Sequence, residues 1–231
     1  MTIGIIPARS GSKGVSNKNI NDIGGIPLIN HTIFTAIESK SFEHIYISTD
    51  IDYVFSEFKN NNSVTLIKRP KNLCQDDSSQ VDVVNHVFKN LTINPKHITN
   101  FVLLQPTTPF KTANEIRNGV EILSNAKVES IIGVCEVVNH PSDYLFINSN
   151  NKLKNLINES KNKRRQEFSK YYFNNGAFYG CKYNFFKKNQ VFYNENSKIL
   201  KMNNFSFVDI DTQFDLIIAR SIYKDFKNST K

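Results

Sequence analysis

Short apolar runs alternate with longer stretches of helical period along most of this chain, and that alternation restricts the folds open to it. Ile3–Ile6, His44–Ser48, Ser63–Ile67, Asn100–Leu104 and Ser130–Val138 read as strands. Between them, residues 28–37, 51–59, 81–91 and 113–123 carry apolar side chains at helical spacing, with Thr112 placed as an N-cap. Strand and helix in repeated succession indicate βαβ units and a mainly parallel, Rossmann-like α/β sheet. Such sheets bind ligands beyond the carboxyl ends of their strands. Chemistry is therefore expected just after Ile6, Ser48, Ile67 and Leu104. Past Val138 the pattern weakens, and residues 139–206 are rich in Asn, Lys, Phe and Tyr. A single domain over residues 1–231 is expected, with an insertion at about 140–206 that carries partner contacts. Order is expected to return with a strand at Phe205–Asp209 and a final helix through Phe214, Leu216, Ala219 and Tyr223.

The 231 residues are 39% hydrophobic and 22% charged, a globular balance with enough chain for a full core. The 29 basic and 21 acidic residues leave a net charge of +8, which favours anionic partners. The basic residues are scattered, and the densest group, Lys161–Arg165, reads as a solvated loop. No nucleic-acid fold motif accompanies it, so no nucleic-acid partner is expected. No apolar run approaches the ~18–20 residues of a membrane span, and no membrane association is expected. The start lacks a charged n-region and its apolar run is short, so no signal peptide is expected and the assigned compartment is the cytoplasm. Cys74, Cys135 and Cys181 are far apart and lack zinc-site spacing, which makes free thiols the expectation.

Five segments carry chemistry. The first strand runs into Ala8-Arg9-Ser10-Gly11-Ser12-Lys13-Gly14, followed by Lys18-Asn19. Small residues let backbone N–H groups approach a phosphate, and the cations neutralise it. The third strand ends in Lys68-Arg69-Pro70, where Arg69 can reach the same crevice. The fourth ends in Gln105-Pro106-Thr107-Thr108-Pro109, a rigid turn that holds Gln105 and two hydroxyls. Asp209 and Asp211 stand two residues apart, on one face if the segment is extended. Two such carboxylates need a cation or a proton between them, and Mg²⁺ shared with substrate phosphates suits them. Asn174-Asn175-Gly176-Ala177-Phe178-Tyr179 combines amides and an aromatic suited to a sugar. Each segment also has a plainer reading: a surface turn at 8–14, a surface Arg69, a structural turn at 105–109, a helix cap at Asp211 and a β-turn at 174–176.

Taken together and in order, these segments resemble the acylneuraminate cytidylyltransferases, also called CMP-sialic acid synthetases. The resemblance rests on Ile5-Ile6-Pro7-Ala8-Arg9-Ser10-Gly11-Ser12-Lys13-Gly14, Lys18-Asn19, Ser48-Thr49-Asp50, Arg69-Pro70, Leu103-Leu104-Gln105-Pro106-Thr107-Thr108-Pro109, Asn175-Gly176-Ala177 and Asp209-Ile210-Asp211-Thr212. It covers roughly residues 3–225. It implies a nucleotidyltransferase fold with a small dimerisation insertion, a homodimer, and CMP transfer from CTP to an acidic nine-carbon sugar with Mg²⁺, releasing pyrophosphate. By the same resemblance Arg9, Ser12 and Lys13 bind the triphosphate, with Asn19 near the nucleotide. Arg69, Ser78 and Gln80 line the cytidine pocket. Gln105, Asn175 and Tyr179 touch the sugar, and Arg165 pairs with its carboxylate. Asp209 and Asp211 hold metal, and Phe192 and Tyr193 reach the sugar's N-acyl group from the partner subunit. Arg9, Lys13 and Asp211 are the residues expected to act in catalysis, Asp211 by helping to remove or orient the proton of the attacking hydroxyl.

Two positions depart from the sialic acid pattern. Phe173 stands where a cation is usual before the Asn-Gly turn, and Asp143 replaces a lysine after His140-Pro141. These changes affect the sugar rather than the reaction, and keep legionaminic, pseudaminic and Kdo acceptors open beside N-acetylneuraminate. A catalytically inactive CTP-binding relative and a basic nucleic-acid-binding domain are the competing readings. No further enzyme domain is expected after residue 231.

Overall fold

A computed structural model of the protein describes residues 1–157 and 169–230. β1 (Thr2–Ala8) is buried along its whole length. After Thr2 the strand is made of Ile, Gly, Pro and Ala and has no polar face to offer water, so it belongs in the middle of a covered sheet. A small ribbon of β2 (Asp22–Ile23) and β3 (Ile26–Pro27) leads into α1 (Leu28–Ser39). There follow β4 (His44–Thr49), α2 (Asp52–Phe58), β5 (Thr65–Lys68), α3 (Gln80–Lys89), β6 (Asn100–Leu103), α4 (Ala113–Ser124) and β7 (Ser130–Glu136). The chain continues through a hairpin of β8 (Leu145–Ile147) and β9 (Leu153–Asn155), then β10 (Tyr172–Lys182), α5 (Tyr183–Asn189), β11 (Lys198–Lys201) and α6 (Gln213–Ser229).

Among the described residues the main sheet has seven strands in the order β11-β7-β10-β6-β1-β4-β5. β6, β1, β4 and β5 are mutually parallel. β10 runs antiparallel between β6 and β7, and β11 closes the far edge parallel to β7. The sheet is thus mainly parallel, as expected. Side chains alternate along β1, and each set meets its own layer of helices. Ile6 and Ala8 join a core with Ile29 and Ile33 of α1, Val54 of α2 and Ile116 of α4. Ile3 and Ile5 join another with Val84 and Phe88 of α3 and Phe186 of α5. A third core, with Val15, Phe110, Ile210 and Leu216, seats α6 against the end of the sheet.

Helix ends follow their sequence signals. Thr112 caps α4 as expected, in a reciprocal box with Glu115. Thr212 and Asp215 do the same for α6. Two expectations are corrected. Phe205–Asp209 is not a strand: Asn204–Phe207 forms a 3₁₀ turn because the Asn203 side chain accepts from the backbone N–H groups of Phe205 and Ser206. Only the stretch after Phe207 is extended. The span 140–206, expected as an insertion, supplies the sheet strands β10 and β11, and it is the β8–β9 hairpin that pairs apart from the main sheet. The Asn174-Asn175-Gly176 turn signal lies inside β10. There the register against β7 shifts between Asn174 and Tyr179, and Gly176 takes φ +72°. A bulge of this kind admits an extra residue without ending the strand.

Cys135 and Cys181 are buried free thiols, and Cys74 is half-buried. No helix among the described residues is long and apolar enough to cross a membrane.

Candidate active site

The carboxyl ends of β1, β5 and β6 open into one cleft of about 260 Å³. Arg9, Ser12, Asn19, Arg69, Ser78, Gln80, Gln105, Asp209 and Asp211 all line it. Four separate stretches of sequence therefore meet where the sheet rule places a ligand.

Within the loop after β1 Arg9 donates to the Gly11 carbonyl, and neighbouring elements hold the loop from outside. Asp50, just past β4, accepts from the Ser10 backbone N–H at 2.8 Å and from its hydroxyl at 2.6 Å. Those bonds keep the Asp50 carboxyl below its ordinary range, against the opposing effect of burial. Asn19 donates to the Arg9 carbonyl at 2.9 Å from a buried position. A Cβ on Gly14 would stand 2.0 Å from the Asp211 carbonyl oxygen, so only glycine lets this loop touch the acid segment.

Arg69 is 6% exposed and fixed to Ser48, through Nε to Oγ at 3.2 Å and Nη2 to the carbonyl at 2.7 Å. Burial lowers its pKa to about 10, which leaves it cationic at neutral pH. The plainer reading of Arg69 as a surface residue is therefore wrong. Ser78 accepts from the Gln75 backbone N–H and donates to the Asn72 carbonyl, closing the turn before α3, and Gln80 is the first residue of that helix.

Asp209 and Asp211 face this basic wall. The Asp209 carboxyl is raised in pKa, first by burial and then by Asp211, with the Thr107 hydroxyl opposing. Its Oδ1 is buried and has no hydrogen-bond partner among the described residues. Lys18 Nζ bonds Asp211 Oδ1 at 2.8 Å and the Ile210 carbonyl at 2.7 Å. No group of three or more metal-ligating side chains occurs among the described residues. Two carboxylates completed by phosphate oxygens and water are nonetheless the usual surroundings of Mg²⁺. The unpartnered Asp209 oxygen is an atom that such a cation would satisfy, so the residues present fit the ion.

Other expected residues lie elsewhere. Lys13 lines an adjoining opening with Asp50 and Asp76. The Asn175 side chain turns into the core, where Nδ2 meets Cys135 Sγ at 3.2 Å. It is Gly176 that reaches the cleft edge, since a Cβ there would lie 3.1 Å from Gln105 Oε1. Tyr179 stacks on Tyr193 and its hydroxyl accepts from Asn174. Phe192 packs on Phe186 and Phe101 of its own chain. Arg165 lies outside the described residues.

Sequence reasoning did not single out Asp76. It pairs with Arg9 at 2.5 Å and with Lys13 at 3.0 Å, and these contacts lower its pKa. An acid thus holds the two cations that an incoming phosphate would need. Asp76→Asn is expected to tighten binding of inorganic pyrophosphate by about three- to tenfold, read by isothermal titration. Equal or weaker binding by the variant would show that Asp76 does not compete for these cations.

N-acylneuraminate cytidylyltransferase of Streptococcus agalactiae is 30% identical over 92% of this chain, which spans 51% of that protein. The chain thus covers about half the length of such relatives. CMP-N,N'-diacetyllegionaminic acid synthase of Legionella pneumophila is 30% identical over 95% of both chains. Pseudaminic acid cytidylyltransferase of Campylobacter jejuni is 26% identical over 95% of both. The fold is shared with CMP:2-keto-3-deoxy-manno-octonic acid synthetase solved with CTP, at a TM-score of 0.67 and 14% identity, over 97% of this chain and 98% of that one. The cytidylyltransferase family model matches residues 3–221, a span that takes in the basic loop, Arg69, the Gln105 turn and both cleft carboxylates, and the chain belongs to that family.

Proposed function

We propose that the protein transfers CMP from CTP to the anomeric hydroxyl of a nine-carbon keto-sugar acid. The observation that carries this reading is one cleft lined by the acid pair Asp209/Asp211, with Lys18 bound to Asp211, and by Arg9 and Arg69. In the reaction the sugar's hydroxyl oxygen bonds to the α-phosphorus of CTP. The bond from that phosphorus to the bridging oxygen of the β-phosphate breaks, and pyrophosphate leaves. The hydroxyl proton passes to a nearby base, the role assigned in this reading to Asp211, which lines the cleft.

The chain's own residues position and neutralise. Arg9, Lys13 and the backbone of residues 10–14 receive the phosphates, and Asn19 fixes the loop that presents them. Arg69, Ser78 and Gln80 wall the nucleoside side, and Gln105 stands toward the sugar. Asp209 and Asp211 would hold Mg²⁺, which when bound supplies charge neutralisation at the phosphates. The enzyme is read as cytoplasmic because its nucleotide substrate is.

The acceptor is N-acetylneuraminate or a close relative. Relatives named for N,N'-diacetyllegionaminic acid and for pseudaminic acid, at 30% and 26% identity, support both of these acids beside N-acetylneuraminate as acceptors. Phe173 is half-buried and packs against the core cluster that includes residues of α1 and α4. Pyrophosphate release from CTP and Mg²⁺, measured in parallel with N-acetylneuraminate, legionaminate, pseudaminate and Kdo, tests the reading. Release is expected with at least one of these acids and none without a sugar; no release with any would refute it.

A homodimer is proposed on the β8–β9 hairpin. Leu145, Phe146, Ile147 and Leu153 are exposed by 53%, 46%, 67% and 65%, with Leu156 beside them at 59%. So many large apolar side chains on one two-stranded unit call for a covering surface, and a second copy supplies it. In such a dimer Tyr193, which keeps an exposed face, is better placed to meet the partner than Phe192, which is engaged in its own core. Sedimentation equilibrium is expected to give a dimer for the natural chain and a monomer for the Ile147→Asp/Leu153→Asp variant. A monomeric natural chain would contradict this assembly.

A further inference from the structure

Lys111 is 1% exposed, the most deeply buried cation of the described residues, and nothing above uses it. Its ammonium donates to Thr32 Oγ1 at 3.0 Å, to the Gln105 carbonyl at 2.9 Å and to the Thr108 carbonyl at 2.5 Å. An ammonium has three N–H bonds, and all three are occupied. No carboxylate touches it directly; Asp209 and Glu115 act on it only through space. Burial lowers its pKa to about 7, which shows how costly the charge is in this place.

What the ammonium holds explains the cost. The two carbonyls it binds are the first and last of the turn Gln105–Thr108. Thr32 ties that turn to α1. The Gln105 side chain lines the cleft beside the sugar position. Thr107, between the two bound carbonyls, accepts the Ile210 backbone N–H at 2.8 Å. Its hydroxyl hydrogen-bonds the Asp209 carboxylate. One buried cation therefore stands under a turn whose upper side touches both halves of the site.

We infer that Lys111 is a positioning residue for the transfer reaction, setting the Gln105–Thr108 turn and, through Thr107, the placement of Asp209. The inference rests on the proposed CMP transfer. A methionine in its place would leave the Gln105 and Thr108 carbonyls without their common donor, and the turn would relax from the Ile210 N–H.

The test compares the natural enzyme with Lys111→Met, Lys111→Arg and Thr32→Val, using the full chain and whichever acid the natural enzyme accepts. For Lys111→Met, kcat is expected to fall tenfold or more and the sugar KM to rise, while the CTP KM stays within threefold. Hydrogen exchange in the peptide spanning Ile210 is expected to accelerate tenfold or more, with exchange in β1 unchanged. Lys111→Arg should recover part of kcat. Thr32→Val, which removes only one acceptor, should lower kcat about threefold and covers the case in which Lys111→Met does not fold. A folded Lys111→Met with kcat within twofold of the natural enzyme, or an unchanged kcat in Thr32→Val, would overturn the inference. Absence of turnover by the natural enzyme with every acid would instead overturn the proposed reaction.

Discussion

The site depends on one backbone hydrogen bond that crosses between distant parts of the chain, from the Ile210 N–H to the Thr107 carbonyl. It joins the extended segment before α6 to the turn after β6. Without it, Asp209 and Asp211 would sit on a connection with no place in the sheet. Two further contacts secure the same segment. Gly14 brings the basic loop against the Asp211 carbonyl, and Asn203 is locked to Glu115 of α4. The acid pair is thereby held from three sides by elements that are themselves packed in the core.

Electrostatics then accounts for the resting state of the cleft. Two carboxylates two residues apart repel, and burial of Asp209 adds to the cost. Lys18 offsets this on the Asp211 side. Across the cleft Asp76 does the converse, occupying Arg9 and Lys13. Asp211, Arg9 and Lys13 are thus paired within the resting cleft, while Asp209 Oδ1 has no partner among the described residues. Arg69 is different. It is committed to Ser48 and buried, and so it serves as a fixed wall rather than an exchangeable partner.

Much of this was legible in the sequence, because the informative residues follow strands. Arg9, Arg69 and Gln105 each lie within two residues of the end of an apolar run, and a parallel sheet brings such positions together. Thr112 was legible for a local reason, its box with Glu115. What was not legible depended on long-range competition. Phe205–Asp209 alternates like a strand, yet the Asn203 side chain captures its first N–H groups. The Asn174–Gly176 signal suggested a turn, and β7 and β6 held the chain in a continuous bulged strand instead. Asn175 points inward because that bulge rotates it toward Cys135. Asp76 and Lys111 carry no pattern: Asp76 meets Arg9 from 67 residues away, and Lys111 joins the nearby Gln105–Thr108 turn to Thr32, 79 residues away.

The central claim is that the acid pair takes a direct part in phosphoryl-type transfer rather than merely shaping the cleft. Steady-state pyrophosphate formation by Asp211→Asn, at saturating CTP, Mg²⁺ and sugar, tests it most directly. The substitution keeps the side chain's size and removes its charge. Turnover is expected to fall by about a hundredfold or more, with thermal stability near that of the natural chain. Near-normal turnover in the folded variant would contradict the claim.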